Sequence, residues 1–131
     1  METISVRTNT RNSFIDITGK VVSLVSSKGW GDGILVVYTP HTTSAVTINE
    51  NADPDVQADM NSFLSKLIPD LPDFSHAEGN SDSHIKSSLV GCSETVIIEN
   101  GQLVLGTWQG IYFCEFDGPR NRKVHVKFIG Y

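Results

Sequence analysis

The fold of this chain is decided by one stretch, Glu94-Thr95-Val96-Ile97-Ile98-Glu99-Asn100-Gly101-Gln102-Leu103-Val104-Leu105. Apolar and β-branched residues on both sides of Asn100-Gly101 predict two strands, because such side chains pack well on a pleated sheet. The Asn-Gly dipeptide predicts a two-residue type I′ turn, in which both central residues need positive φ. An antiparallel hairpin over residues 94–105 is therefore the starting point for the rest of the fold.

Further strands are predicted before and after this hairpin. They are indicated by alternating or continuous apolar runs at residues 3–8, 14–17, 33–39, 44–49, 108–117 and 123–129. The run 33–39 is apolar throughout and predicts a central strand that is buried on both faces. Together with the hairpin, the last two strands predict a β-meander in the C-terminal third.

Helical spacing of apolar residues predicts helices between the strands. Thr18 is expected to cap the first helix, and Asp53 caps the clearest one. That helix carries a single apolar stripe, namely Val56, Met60, Phe63, Leu64 and Leu67. A short helix beginning after Asn80 or Ser81 is expected to turn Ile85 and Leu89 inward. The predicted fold class is α+β: an antiparallel-rich, β-sandwich-like single domain over residues 1–131, with two to three helices.

Composition excludes several classes of protein. A chain of 131 residues can bury a core without disulfide or metal cross-links. The net charge of -5 argues against non-specific nucleic-acid binding. No apolar run is long enough to cross a membrane, and the N-terminus shows no signal peptide. With only two cysteines, Cys92 and Cys114, we expect reduced thiols and a cytoplasmic location.

Histidines form the first group of candidate functional residues. His76 and His84 flank a polar loop that also carries Glu78, and His41 follows the predicted central strand. Imidazole is a common metal ligand, and three such ligands with a water molecule make an open zinc site. The spacing matches no standard zinc motif, so histidines that only hydrogen-bond within surface loops explain it equally well.

Basic and hydroxyl side chains form a second group. Arg120 and Arg122 follow a predicted turn, and a guanidinium group suits bidentate binding of phosphate or carboxylate. Thr42 and Thr43 lie beside His41 and can bind an anion. The alternatives are an ordinary charged hairpin tip for the arginines and a β-rich strand entry for the threonines.

Trp108 lies between glycines near the start of a predicted strand. It is expected either to wall a pocket and stack on a flat ring, or to be a buried core residue at a bulge. His125 alternates with apolar residues and is predicted to lie on the outer face of its strand.

These residues resemble the YjbQ-like family, whose members are described as secondary thiamine-phosphate synthases. The resemblance covers nearly the whole chain, from Asp16-Ile17-Thr18 to the C-terminal strand. The first matching motifs are Pro40-His41-Thr42-Thr43, residues 49–55, His76 and Gly79-Asn80-Ser81-Asp82-Ser83-His84. The later ones run from Ser93 to Gly106-Thr107-Trp108-Gln109-Gly110-Ile111, and end with Phe116-Asp117-Gly118-Pro119-Arg120 and Arg122. Cys92 departs from the pattern, which has a small polar residue there.

The resemblance implies a compact α+β fold that assembles as a homotrimer, with sites near the subunit interfaces. It also implies a weak thiamine-phosphate synthase activity, a transferase reaction. In that reaction hydroxymethylpyrimidine diphosphate loses pyrophosphate and is coupled to a thiazole phosphate.

We therefore predict a site that handles a small phosphorylated molecule. The residues predicted to act in catalysis are His41, Asp82 and His84. Those predicted to bind the substrate or its phosphate are Thr42, Thr43, Asn80, Trp108, Arg120 and Arg122. The predicted ligands of a divalent metal, with zinc foremost, are His41, His76 and His84. The alternative function is a non-enzymatic trimer that binds a metal or a small phosphate ligand.

Overall fold

The computed structural model describes residues 1–130 of the chain and contains eight strands and three helices. The strands are β1 (Glu2–Arg7), β2 (Ser13–Asp16), β3 (Gly33–Tyr38), β4 (Ser44–Glu50), β5 (Ser93–Glu99), β6 (Gln102–Leu103), β7 (Gln109–Glu115) and β8 (Asn121–Gly130). The helices are α1 (Thr18–Lys28), α2 (Pro54–Leu67) and α3 (Ser81–Val90). Within residues 1–130, none of these helices has the length and apolar character needed to cross a membrane.

The predicted hairpin is confirmed. Asn100 and Gly101 have φ values of 51° and 74°, as the type I′ turn requires. The strand after the turn is shorter than predicted, since β6 ends at Leu103. One further hydrogen bond, from the Val104 amide to the Ile97 carbonyl, follows before the chain leaves this sheet.

Two antiparallel sheets are present rather than a C-terminal meander. A five-stranded sheet has the order β1-β8-β3-β5-β6, and a three-stranded sheet has the order β2-β7-β4. The meander prediction was wrong because β7 crosses to the smaller sheet, where it pairs on both sides, and β8 returns to the larger one. Alternation along a strand does not reveal which sheet the strand joins. The α+β sandwich architecture itself is confirmed.

The main apolar core lies between the two sheets. Leu35 of β3, Val126 of β8 and Phe113 of β7 are fully buried in it. Helix α1 adds Val21 and Val25 to the same core. Strand β3 is central, as predicted, but it is buried on one face only. Two of its outward-facing side chains are exposed, Ile34 by 36% and Tyr38 by 41%.

Helix α2 begins as predicted, because the Asp53 carboxylate accepts a hydrogen bond from the Asp55 amide at 2.9 Å. Thr18 does not cap α1; its own amide donates to the Asp16 carboxylate at 2.9 Å. The apolar stripe of α2 is buried only in part, since Phe63 is 63% exposed and Leu67 is 59% exposed.

Helix α3 packs in the opposite sense to the prediction. Its buried side chains are polar, namely Asp82, Ser83, Lys86 and Ser87. Ile85 and Leu89, which were expected to face inward, are 40% and 66% exposed. The reason is hydrogen bonding: the Ser87 hydroxyl donates to the Thr42 carbonyl at 2.6 Å, and the Ser83 hydroxyl donates to the Phe116 carbonyl. Helix α3 is thereby tied to the loops that carry the candidate site.

Candidate functional site

Side chains from three connections, from α3 and from the beginning of β8 surround a cleft of about 470 Å³. The connections are those between β3 and β4, between α2 and α3, and between β7 and β8. The cleft brings together most of the predicted site residues, namely His41, Thr42, Thr43, His76, Asn80, His84, Arg120 and Arg122. Glu78, which the polar loop offered as a further candidate, lines it as well, and so does Asp117, which was predicted only as part of a turn.

Arg122 is anchored in a buried ion pair at the floor of this cleft. Its side chain is only 5% exposed, and its Nε donates to the Glu115 carboxylate at 2.8 Å. Nη2 donates to the other carboxylate oxygen and, at 2.8 Å, to the hydroxyl of Thr43. The Thr8 hydroxyl completes the cluster by donating to Glu115 at 2.7 Å. These contacts occupy Nε and Nη2, so Nη1 is the remaining donor group for a ligand.

Arg120 is held by the turn between β7 and β8. Its Nε donates to the Asp117 carbonyl at 2.8 Å, and its Nη2 donates to the Asp117 carboxylate at 3.0 Å. The side chain remains 49% exposed. Gly118 allows this tight turn, since a Cβ there would lie 2.1 Å from the Thr10 carbonyl oxygen. Arg120 is therefore positioned by Asp117 and retains Nη1 for a ligand.

His41 is fixed by the backbone of β8. Its Nε2 accepts a hydrogen bond from the Lys123 amide at 2.9 Å, so the proton of the neutral ring lies on Nδ1. Burial lowers the pKa of His41, and the nearby positive charge of Arg122 lowers it further. At neutral pH the ring is therefore uncharged and offers the cleft a donor.

His76 and His84 lie together on another wall of the cleft. Their ring centroids are 5.6 Å apart and the rings are nearly perpendicular, at 86°. Two imidazoles that share a tetrahedral zinc ion place their centroids about 5 Å apart, so this pair has a suitable separation.

The structure agrees only in part with the predicted metal site of three histidines. His41 uses Nε2 to accept a backbone hydrogen bond and carries a proton on Nδ1, so neither nitrogen has a free lone pair. Across residues 1–130, no group of three or more His, Cys, Asp or Glu side chains is arranged to hold a metal ion. The described residues thus supply two well-placed imidazoles rather than three.

Asn80 carries a buried acceptor that has no partner. Its Nδ2 donates to the Asp117 carboxylate at 2.8 Å, which fixes the orientation of the amide. Its Oδ1 is buried and makes no hydrogen bond within residues 1–130, and the side chain does not cap α3. An unsatisfied buried acceptor costs about 1–3 kcal/mol. This orphaned oxygen therefore indicates that a ligand or water supplies a donor at the N-terminus of α3.

Two predicted site residues lie outside the cleft. Asp82 is 1% exposed and forms a two-point ion pair with Arg11, at 3.0 Å for each bond, and a longer one with Lys86. It is enclosed beneath α3, where the predicted catalytic contact with a substrate is not available. Trp108 is 61% exposed in the β6–β7 connection, so it is neither a core residue nor part of the cleft.

Glu115 and Asp117 are the functional residues that sequence reasoning missed. Each orients one arginine of the cleft. A signal for Glu115 was present, because an acidic residue between Cys114 and Phe116 in an apolar strand needs a buried cationic partner. Cys114 itself is fully buried in the same strand, and burial raises the pKa of its thiol.

The protein is thus a single-domain α+β sandwich with a polar cleft lined by residues of several connections. The family model described as "UPF0047 protein YjbQ-like" matches residues 2–131. A UPF0047 protein of Methanocaldococcus jannaschii is 58% identical over 125 residues, which cover 95% of this chain and 91% of that protein. UPF0047 protein YugU of Bacillus subtilis is 49% identical over 131 residues and is covered to 99%.

Solved structures agree with these relatives. A crystal structure of a YjbQ/UPF0047 family protein from Clostridium acetobutylicum is 56% identical and covers 98% of this chain, with a TM-score of 0.95. A hypothetical protein from Aeropyrum pernix is 39% identical over the whole chain, with a TM-score of 0.93. The chain belongs to the YjbQ-like UPF0047 family.

Proposed function

We propose that the cleft binds the phosphate or diphosphate group of a small phosphorylated molecule. The observation that carries this proposal is the buried, unpartnered Oδ1 of Asn80 beside two anchored guanidinium groups. Arg120 and Arg122 supply cationic donors, and the neutral His41 ring supplies a further one. A monoprotonated phosphate, or a hydroxyl of the ligand, would supply the donor that Asn80 lacks.

The arginines are oriented before a ligand arrives. Because Asp117 and Glu115 hold them, they need little reorganisation to meet a phosphate or a leaving diphosphate. The same carboxylates offset their positive charge, so we expect selective binding of modest affinity rather than strong general attraction of anions.

For the reaction, we propose a weak thiamine-phosphate synthase-like transfer. Arg120 and Arg122 would stabilise the charge that develops on the departing pyrophosphate. His84, at the wall of the cleft, would serve as the general acid that protonates the leaving oxygen. Asp82 would act only indirectly, by fixing α3 from below.

The test compares matched charge-removing variants. Pyrophosphate binding by calorimetry and thiamine phosphate formation would be measured for wild type, Arg120→Gln and His84→Asn. Lys127→Gln is the control, because it removes an exposed charge outside the cleft. We expect Arg120→Gln to weaken binding about tenfold, the loss of one charge-assisted hydrogen bond. Full binding and turnover in both cleft variants would contradict the proposal.

A second candidate function is zinc binding by the His76–His84 pair, which the 5.6 Å ring separation favours. A ligand from outside the described residues, such as water or substrate, would complete the coordination. Elemental analysis of purified wild type should then find zinc that His76→Ala and His84→Ala each lose and that His125→Ala keeps. Equal metal content in all four proteins would rule this site out.

We also propose that the protein assembles as a homotrimer, with further copies of the chain covering the apolar side of α2 and α3. Phe63, Leu67 and Leu89 are each more than half exposed on these helices. Exposed apolar side chains in such number commonly mark an interface.

A further inference from the structure

We propose that the ligand is a phosphomonoester of a small uncharged organic group, and that this group lies in a second compartment adjoining the cleft. The inference rests on the proposed function, because it takes the phosphate to be held by Arg120 and Arg122. It adds the chemical nature of the rest of the ligand.

The second compartment has a volume of about 570 Å³ and lies between the end of β3 and α3. Pro40, His41, Thr42 and His84 line both it and the cleft. The two spaces are therefore neighbours that share one wall. The proposed ligand would extend from one into the other past these side chains.

The two compartments differ in charge. Glu78, Asp117, Arg120 and Arg122 line the cleft. Among the described residues that line the second compartment, none is Asp, Glu, Lys or Arg. Placing a charged group in such surroundings without a partner is costly, so the compartment selects an uncharged group.

Three of the hydroxyl groups that line the second compartment already have hydrogen-bond partners. The hydroxyls of Thr39 and Ser44 bond to each other at 2.7 Å, and that of Ser87 donates to the Thr42 carbonyl. Tyr38 and Cys92 are exposed there. These surfaces suit a small ring, which can pack against an aromatic side chain and a thiol.

This arrangement places the phosphoester linkage at the shared wall. A phosphate in the cleft and a ring in the second compartment would put the connecting oxygen beside His41 and His84. There the Nδ1–H of His41 would donate a hydrogen bond to the ester oxygen, and His84 would be the group that protonates it.

The test uses inorganic phosphate and benzyl phosphate as probes in calorimetry. We expect wild type to bind benzyl phosphate about tenfold more tightly, because the ring buries apolar surface. Cys92→Phe, which fills the second compartment, should abolish that advantage and leave phosphate binding unchanged. Thr95→Phe is the control, since it adds the same bulk at an exposed position of β5 outside both spaces.

Thiol labelling of wild type gives a second measurement that needs no variant. Iodoacetamide should modify the exposed Cys92 and spare the buried Cys114. Benzyl phosphate should slow the labelling of Cys92, whereas inorganic phosphate should not. Equal labelling with both probes, or an unreactive Cys92 in the free protein, would overturn the inference.

The two proposals fail in different ways. If neither probe nor pyrophosphate binds wild type, the proposed function is wrong and this inference falls with it. If pyrophosphate alone binds, the proposed function stands and this inference is wrong. If both bind wild type equally well, the phosphate site stands and the second compartment is not a ligand site. If Cys92→Phe weakens both probes equally, the compartments are not separate in the way described.

Discussion

The two faces of the three-stranded sheet are covered by different kinds of side chain, apolar on one face and largely polar on the other. On one face, Ile111 and Phe113 of β7 pack into the continuous apolar core against the larger sheet. On the other, only a small apolar cluster around Tyr112 and Phe116 is present, and the helical layer over it buries Asp82 and Lys86. Apolar side chains can pack together in many relative orientations, because the hydrophobic effect is not directional. Buried polar groups need hydrogen-bond partners at specific positions. The polar layer is therefore the one that can hold the loops of the cleft in fixed positions.

The largest expected effect tests the apolar face. Phe113→Ala should lower the free energy of unfolding by about 3–5 kcal/mol, since it leaves a cavity in a fully buried site. Urea denaturation monitored by circular dichroism measures this. Trp108→Ala is the matched aromatic control; it should change stability by less than about 0.5 kcal/mol, because that ring is exposed. If the two variants lost similar amounts of unfolding free energy, Phe113 would not lie in the core as described.

The next effect tests the polar face. Asp82→Asn should cost roughly 2–4 kcal/mol, because it leaves the buried Lys86 and the half-exposed Arg11 without their counterion. The combined Asp82→Asn, Lys86→Met variant should recover part of this loss. No second substitution is expected to rescue Phe113→Ala in that way. Equal stability of wild type and Asp82→Asn would show that the ion pair is not a structural element.

A smaller effect distinguishes the two faces by pH. Burial acts to raise the pKa of Asp82, but the hydrogen bonds and charge of Arg11 outweigh it, so the folded pKa lies below its ordinary value. The unfolded chain then binds more protons than the folded one as the pH falls below about 4. Stability from this carboxylate is present above that pH and is lost as the pH falls through the folded pKa. The stability difference between wild type and Asp82→Asn should shrink between pH 6 and pH 3, whereas that of Phe113→Ala should not.

The smallest effect on the fold is expected outside both layers. Phe63→Ser on the exposed side of α2 should change the monomer's stability by less than about 0.5 kcal/mol. It should nevertheless lower the assembled mass measured by light scattering, if copies of the chain cover that side. An unchanged mass would show that this side of α2 is not part of a subunit interface.

Sequence reasoning predicted the elements well where the signal is local. The Asn100-Gly101 turn and the Asp53 cap depend on neighbouring residues alone, and both are present. The burial of α3 was predicted wrongly because its inward face is selected by hydrogen-bond acceptors on distant loops, such as the Thr42 carbonyl. Hydrophobic spacing carries no information about such partners.

In the candidate site, too, local motifs were predicted from the sequence, whereas the tertiary contacts were not. Motif residues on three connections, on α3 and on β8 do line one cleft. The sequence indicated that Glu115 needs a buried cationic partner, but not which residue that partner is. Only the tertiary contacts show that Glu115 orients Arg122 and that Asp117 orients Arg120. Asp82 belongs to the matched motif, yet it lies beneath the helix, because neighbouring positions of a helix point in different directions.

The bond between the Lys123 amide and His41 Nε2 ties a ring to the hydrogen bonding of a strand. A second proton on that ring would have to sit on Nε2, facing an N–H group. Charging His41 therefore requires this bond to break. An imidazole held by such a backbone hydrogen bond is poorly suited to gain and lose a proton in every catalytic cycle. In the proposed reaction, His84 rather than His41 would therefore donate the proton, and His41 would hold the ligand in a fixed orientation.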